Sequence, residues 1–341
     1  MAALNRTILA IGKSRFTDAA PCRYSRAQGS AQGGGMKVGF IGLGTMGSNA
    51  AKNLRRAGFA LVVHDIRPEA GRALIEMGAS WATSPRAVID SVDVVVSMVY
   101  GPPHCEAIVR GGNGLLQGDC RGKVWIDMTT SSPFLMRALA AEFEAAGGHA
   151  VDAPVTGSVD AAIRGDMPMF VGGDDAVIER VRPLIEAMGQ LRKVGAHGNG
   201  YVAKLVNNQL WKIHAAAIGE AMVTAKLAGL DPLTWWEAMK GGAADSFVLS
   251  HDVPSIFAGH YDPSFPIALC LKDLALIKEL MDHVGTTNTL TEATHERFRE
   301  AGRRYGTAAG EMTVCKVIED DAGIDLRVAG EWVKPWEVAH G

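Results

Sequence analysis

Closely spaced cysteines are missing from this 341-residue sequence. The five present, at positions 22, 105, 120, 270 and 315, form no CxxC pair. An odd, dispersed set suits a reduced intracellular protein and excludes a disulfide framework. The ten histidines show no HxxxH or HExxH spacing, so no metal site is inferred. No apolar run approaches the roughly 20 residues of a spanning helix, so no membrane partner is expected. Neither sign of charge dominates: 34 Lys and Arg against 37 Asp and Glu leave a net charge of −3. That balance gives no reason to expect nucleic acid or an anionic membrane as a partner. What the chain does have is apolar residues, 48% of the total, over a length that suits roughly two domains.

Residues 1–35 differ from the rest. Arg6, Lys13, Arg15, Arg23 and Arg26 face the single acid Asp18, and a low-complexity run from Gln28 to Gly35 follows. Arg-rich, acid-poor character is that of a mitochondrial presequence. The simpler reading is a disordered extension, or an upstream start codon with the true start at Met36, and a cytoplasmic protein. From Lys37 onward, short Val- and Ile-rich runs alternate with helical patterns. The runs are Val38–Ile41, Leu61–His64, Val94–Met98, Val124–Asp127, Ala150–Ala153, Met169–Val171 and Arg192–Val194. This alternation predicts an α/β, Rossmann-type, doubly wound and mostly parallel sheet over 36–197. Past His197-Gly198-Asn199-Gly200 no convincing strand follows. Tyr201 to Leu227 reads as one long helix, ended by Gly229 and Asp231-Pro232. Helical patterns continue at Leu233–Met239, Ile267–Val284, Asn288–Ala301 and Glu311–Asp320, predicting an all-α domain over 198–341. The long helix is apolar on every side, which predicts a buried connector between domains or subunits.

The first chemical signal is Gly42-Leu43-Gly44-Thr45-Met46-Gly47, after an apolar strand and at the start of a helical pattern. That context suits a dinucleotide loop. Gly42 permits the tight turn, Gly44 lets the backbone approach a pyrophosphate, and Gly47 allows close packing of helix on strand. The helix N-terminus adds free N–H groups and a positive dipole end. Asp65 lies eighteen residues after Gly47. An acid at that spacing bonds the adenosine ribose hydroxyls and repels a 2′-phosphate, which favours NAD over NADP. Arg67, two residues on, tempers that preference.

The second signal is Gly200-Tyr201-Val202-Ala203-Lys204-Leu205-Val206-Asn207-Asn208. Lys204 shares a helix face with Asn207 and Asn208. Its flanks are apolar, and a desolvated lysine without an acidic partner loses its proton more readily. Tuned toward about 7–8, such a lysine serves as a general acid/base. Asn208 would hold a substrate hydroxyl or orient the lysine, and Gly200 would leave room for a ligand. Taken alone, a helical lysine is most simply a snorkelling surface residue, and paired asparagines are interhelical bonding groups.

Four motifs in order carry a resemblance to the β-hydroxyacid dehydrogenases, from about Lys37 to about residue 325. They are the glycine loop Gly39–Gly47, the turn Asp152-Ala153-Pro154-Val155-Thr156-Gly157-Ser158, the segment Gly200–Asn208, and Leu271-Lys272-Asp273-Leu274. The resemblance implies an NAD- or NADP-dependent oxidoreductase acting on a small, 3-hydroxyisobutyrate-like 3-hydroxy acid, and a homodimer or homotetramer. It implies that Lys204 and Asn208 are catalytic. It implies that Thr156, Gly157 and Ser158 hold the substrate carboxylate, as a hydroxyl beside successive N–H groups would. It makes Lys272 an active-site cation near substrate and cofactor. The loop Thr129-Thr130-Ser131-Ser132-Pro133 resembles a family segment near the nicotinamide, with Thr130 as the candidate contact; a helix N-cap turn is an equal reading.

Two departures bear on the substrate. The family turn reads Ser-Gly-Gly, and here Ser158 replaces the last glycine, narrowing the pocket or adding a polar contact. Asp245-Ser246-Phe247 carries no substrate signature. Imine reductases share the architecture but lack the lysine, and phosphogluconate dehydrogenases carry His-Asn where this chain has Asn207-Asn208. A fold relative without chemistry is the non-enzymatic alternative, disfavoured by Lys204. Trp235-Trp236 should pack the helical core, and Glu319-Asp320-Asp321 should be a solvated helix end.

Overall fold

The structure, a computed structural model, describes residues 35–332 and 334–337. The Arg-rich extension and both readings of it lie outside the described residues. Eight strands form one sheet: β1 Lys37–Ile41, β2 Ala60–His64, β3 Ser80–Trp81, β4 Val94–Ser97, β5 Val124–Asp127, β6 His149–Asp152, β7 Met167–Gly172 and β8 Gly189–Gly195. Their order is β3-β2-β1-β4-β5-β6-β7-β8. All neighbours are parallel except β6 and β7, which meet antiparallel at Asp152 and Gly172. The central strands β4 and β5 are buried at every position, as expected of parallel strands covered by helices on both faces. One face packs Phe40, Leu54, Val63 and Ile126; the other packs Ile41, Val95, Trp125 and Phe143.

The seven runs read from the sequence are all strands. The edge strand β3 was not foreseen, because two residues are too few to show a period. The chain then enters the long helix, Asn199–Leu227. Its start is tied to the sheet: the buried Asp152 carboxylate accepts from Gly198 N at 2.9 Å and Tyr201 N at 3.3 Å. Gly200 serves this tie. A Cβ there would lie 2.3 Å from Phe170 O and 2.4 Å from an Asp152 carboxylate oxygen. Gly200 thus admits the capping carboxylate, which corrects the expectation that it leaves room for a ligand. Tyr201, 1% exposed, belongs to the sheet's own core, and its hydroxyl donates to Asp127 Oδ2 at 3.2 Å.

The long helix is buried along one face only, through Leu205, Asn208, Lys212, Ala215, Gly219 and Met222. Val206 and Leu210 are 44% and 54% exposed, so within one chain it is not enclosed on every side as expected. Around its buried face lie helices Pro232–Met239, Val253–Ala258, Ile267–Val284, Thr289–Tyr305 and Thr313–Ala322. Trp235 and Trp236 pack this second core, as expected. A π-turn at Val248–Asp252, leading straight into Val253–Ala258, was not foreseen. Glu319 corrects the solvated-end expectation: it is 2% exposed and accepts from the Tyr261 hydroxyl at 3.0 Å. Among the described residues, no helix is long and apolar enough to cross a membrane.

Candidate active site

A cavity of about 1370 Å³ runs from the glycine loop, past the carboxyl ends of the strands, to Lys204 and into the helical domain. It opens where the strand order reverses, between β1 and β4, the usual ligand crevice of an open α/β sheet.

The loop between β1 and the first helix, Thr45–Arg56, puts each glycine under a different constraint. Gly42 has φ +94°, its N–H donates to His64 O at 2.9 Å, and a Cβ would lie 2.2 Å from Met98 O. At Gly47 a Cβ would lie 2.2 Å from Gly42 O. Gly44 is the opposite case: a Cβ there would meet nothing within 4 Å, so it would project into the cavity. This open cradle of main chain at a helix N-terminus fits a pyrophosphate. Thr45 and Met46 also line it. Leu43 does not: its side chain is buried in the core and its N–H donates to Asp65 Oδ2 at 2.7 Å. The other Asp65 oxygen accepts from Arg67 N at 2.9 Å and lies 3.4 Å from Arg67 Nε. Arg67 itself is largely exposed at the cavity rim.

Lys204 stands part-buried on the cavity wall, and among the described residues its ammonium has no hydrogen-bond or ion-pair partner. Burial lowers its pKa to about 8; Lys212 and Lys272 push the same way, and Asp273 opposes them. The sequence reading took Lys204 to be without a buried acid nearby, and Asp273 corrects that. Asp273 is 1% exposed and accepts from Asn208 Nδ2 at 2.7 Å and Lys212 Nζ at 3.3 Å through one oxygen. Lys272 Nζ lies 3.0 Å from the other oxygen and also donates to Thr130 O at 2.9 Å. Burial alone would raise the Asp273 pKa, but Lys272, Lys212 and Lys204 hold it to about 2. Two lysines thus pair with one carboxylate while a third stands nearby unpaired, and the site has positive charge to spare for an anion.

The turn Thr156-Gly157-Ser158 faces this helix. Asn207 Nδ2 donates to Thr156 Oγ1 at 3.1 Å. The Thr156 N–H is taken by Pro168 O, whereas among the described residues those of Gly157 and Ser158 have no protein acceptor. Ser158 makes its extra polar contacts with the protein: its hydroxyl donates to Asp160 Oδ1 and lies 3.2 Å from His251 Nε2. His251, from the π-turn, also bonds Asp252 Oδ1 at 2.7 Å and stacks on Phe247. Burial would lower its pKa, but Asp160 and Asp252 raise it to about 10. In the 129–133 loop, Thr130 reaches the cavity wall, and Ser132 begins the helix Pro133–Ala145 but sends its hydroxyl to Glu279 instead of capping it.

Every sequence-derived site residue except Leu43 therefore lines one cavity. Missed were Asp160, His251 and Glu311, which come from separate elements, and Lys212, which lies on the Lys204 helix four residues past Asn208. Asp273 was within reach, because it sits beside Lys272 in the fourth motif.

Residues 37–200 match the family described as the NAD binding domain of 6-phosphogluconate dehydrogenase. Residues 198–318 match the NAD-binding domain of NADP-dependent 3-hydroxyisobutyrate dehydrogenase. The chain is 34% identical to 2-hydroxy-3-oxopropionate reductase of Escherichia coli over 83% of this chain and 97% of that protein. It is 33% identical to the mitochondrial 3-hydroxyisobutyrate dehydrogenase of Mus musculus over 77% of this chain and 81% of that one. Its fold matches a solved Mycobacterium tuberculosis 3-hydroxyisobutyrate dehydrogenase with L-serine, at a TM-score of 0.76 and 26% identity, covering 83% of this chain and 99% of the other.

The glycines make a contrast that can be measured. Gly44→Ala should leave the urea midpoint near that of the parent chain yet weaken NADH binding tenfold or more, read by nicotinamide fluorescence. Gly47→Ala should cost about 1–3 kcal/mol of stability through overpacking. Unchanged NADH affinity in Gly44→Ala would remove the pyrophosphate from this loop.

Proposed function

The chain belongs to the β-hydroxyacid dehydrogenase family and is an NAD(P)-dependent oxidoreductase of CH–OH donors; on that premise we propose that it acts at C3 of a small 3-hydroxy acid, with Lys204 as general acid/base. The nicotinamide, when bound, supplies or accepts the hydride. The observation that carries the proposal is the Lys204 ammonium, unpartnered on the cavity wall and brought to about 8 by burial. In oxidation, neutral Nζ takes the proton of the substrate hydroxyl. In reduction, the ammonium returns a proton to the carbonyl oxygen. Asn208 spends one N–H on Asp273 Oδ2, which leaves its other N–H for that same oxygen. The free N–H groups of Gly157 and Ser158 and the Thr156 hydroxyl suit the substrate carboxylate, and the excess of lysine over aspartate around Asp273 favours its negative charge.

The sign of the pH dependence follows from the neutral and charged roles. With limiting substrate, kcat/KM for oxidation should rise through pH of about 8, and kcat/KM for reduction should fall across the same range. Lys204→Met should lower kcat by roughly 10²–10⁴-fold with NADH still bound. Flat profiles, or a Lys204→Met enzyme of normal rate, would remove the lysine from the chemistry.

We place the adenosine ribose against Asp65, with NAD preferred over NADP. A carboxylate at the end of the second strand suits two ribose hydroxyls and repels a phosphate. The exposed Arg67 beside it keeps NADP usable. Asp65→Asn, which retains the shape, should shift the NADP-to-NAD ratio of kcat/KM toward NADP by about tenfold, the equivalent of 1.4 kcal/mol. An unmoved ratio would count against the ribose contact.

We also propose a homo-oligomer packed on the outer face of the long helix. Val206, Leu210, Ile213 and Ala217 repeat at intervals of four, three and four residues, the spacing of a self-packing helical seam, and all but Ile213 are exposed. Light scattering should give a dimer or larger mass for the parent chain and a smaller mass for Val206→Glu. A monomeric parent would end this reading.

A further inference from the structure

The cavity continues beyond Lys204 into the helical domain, where Lys212 and Glu311 stand on its wall with Trp211 and Phe265. Lys212 lies eight residues further along the same helix, about 12 Å along its axis. It is 1% exposed, and its ammonium is fixed by Asp273 and by the rings of Trp211 and Phe265 at 5.4 and 5.8 Å. Glu311 is 9% exposed, and among the described residues its carboxyl has neither a hydrogen bond nor an ion pair.

The neighbouring acids are already committed. Asp252 accepts from His251 Nδ1 and from Trp211 Nε1 at 2.8 Å, and Asp262 accepts from the N–H and hydroxyl of Ser264. Burial, then Asp252 and Asp262, push the Glu311 carboxyl well above the usual carboxylate range. Its backbone is held by an unusual turn. Tyr261 and Asp262 have φ of +51° and +45°, and their carbonyls accept from Met312 N and Glu311 N. Gly310 allows this approach, because a Cβ there would lie 2.1 Å from Tyr261 O. Left-handed backbone at non-glycine residues is costly and concentrates at ligand sites. The Glu311 carboxyl lines the cavity without a protein partner among the described residues, so a ligand there can supply one.

We propose that Lys212 and Glu311 form a subsite for a second hydroxyl of the substrate, which makes hydroxylated 3-hydroxy acids, rather than alkyl-substituted ones, the preferred class. This deepens and rests on the hydroxyacid reading. Lys212 only donates, and Glu311 offers an accepting oxygen. A hydroxyl oxygen accepts from the first and donates to the second. A methyl group desolvates the Glu311 carboxyl and leaves it without a partner. A second carboxylate faces Asp252, Asp262 and Asp273, and an ammonium faces Lys212.

Two matched substrate series test this on the parent enzyme. Glycerate (both enantiomers), 3-hydroxypropionate and 3-hydroxyisobutyrate differ at C2 by hydroxyl, hydrogen or methyl. The second pair, 3,4-dihydroxybutyrate and 3-hydroxybutyrate, moves the extra hydroxyl to C4. In at least one series kcat/KM should favour the hydroxylated acid by roughly 10- to 100-fold. That ratio should fall toward one in Glu311→Leu and survive largely in Glu311→Gln, which still offers a carbonyl oxygen; NADH binding reports whether each variant is folded. Should Glu311→Leu not fold, the parent's own ratios decide. Equal or better turnover of the unhydroxylated acids in both series overturns the subsite and leaves the hydroxyacid reading standing. Turnover of none of these acids overturns both.

Discussion

The buried carboxylate of Asp152 holds the start of the long helix. It ends strand β6, takes the N–H groups of Gly198 and Tyr201, and occupies the space that Gly200 leaves free. A negative group at a helix N-terminus satisfies orphaned donors and opposes the positive dipole end. Tyr201 adds a second tie through Asp127. Because helix geometry is rigid, fixing this first turn fixes the azimuth of Lys204 one turn later. The sheet therefore decides where the helical domain presents its lysine, on the wall of the same cavity as the glycine loop that follows β1.

Asp273 organises the second layer. Its single negative charge draws Lys212, Lys272 and the Asn208 amide to one buried point while Lys204 is left unpaired. Burial makes the unpaired lysine easier to deprotonate. One carboxylate thus separates two lysines that it pairs from one that it leaves unpaired, the lysine proposed to exchange a proton. The same arrangement leaves net positive charge where an acid substrate would bind. Across the cleft, the Ser158, Asp160 and His251 contacts join the Thr156–Ser158 turn to the helical domain, so the Ser158 side chain is spent on holding the two halves together.

Much of this was readable in advance, for definite reasons. Strands β1, β4 and β5 are apolar runs bounded by breakers, and burial on both faces requires such runs. Gly42, Gly44 and Gly47 each showed their role because the turn, the open approach and the close packing are local demands of the backbone. Gly200 was misread because its constraint comes from Asp152, 48 residues earlier in the chain. Glu319 was misread because its partner Tyr261 lies 58 residues away. No periodicity records either pairing.

The sequence by itself determined the class: alternating strands and helices, a dinucleotide loop, and a lysine and asparagine on one helix face, all of which depend on neighbours within a few residues. Only the tertiary structure decided how charge is distributed around that lysine. Asp273, Lys212, Glu311 and His251 come from four separate elements, and their proximity exists only once the helical domain has packed around the long helix. Electrostatic interaction depends on distance and burial, and neither is written in the order of residues.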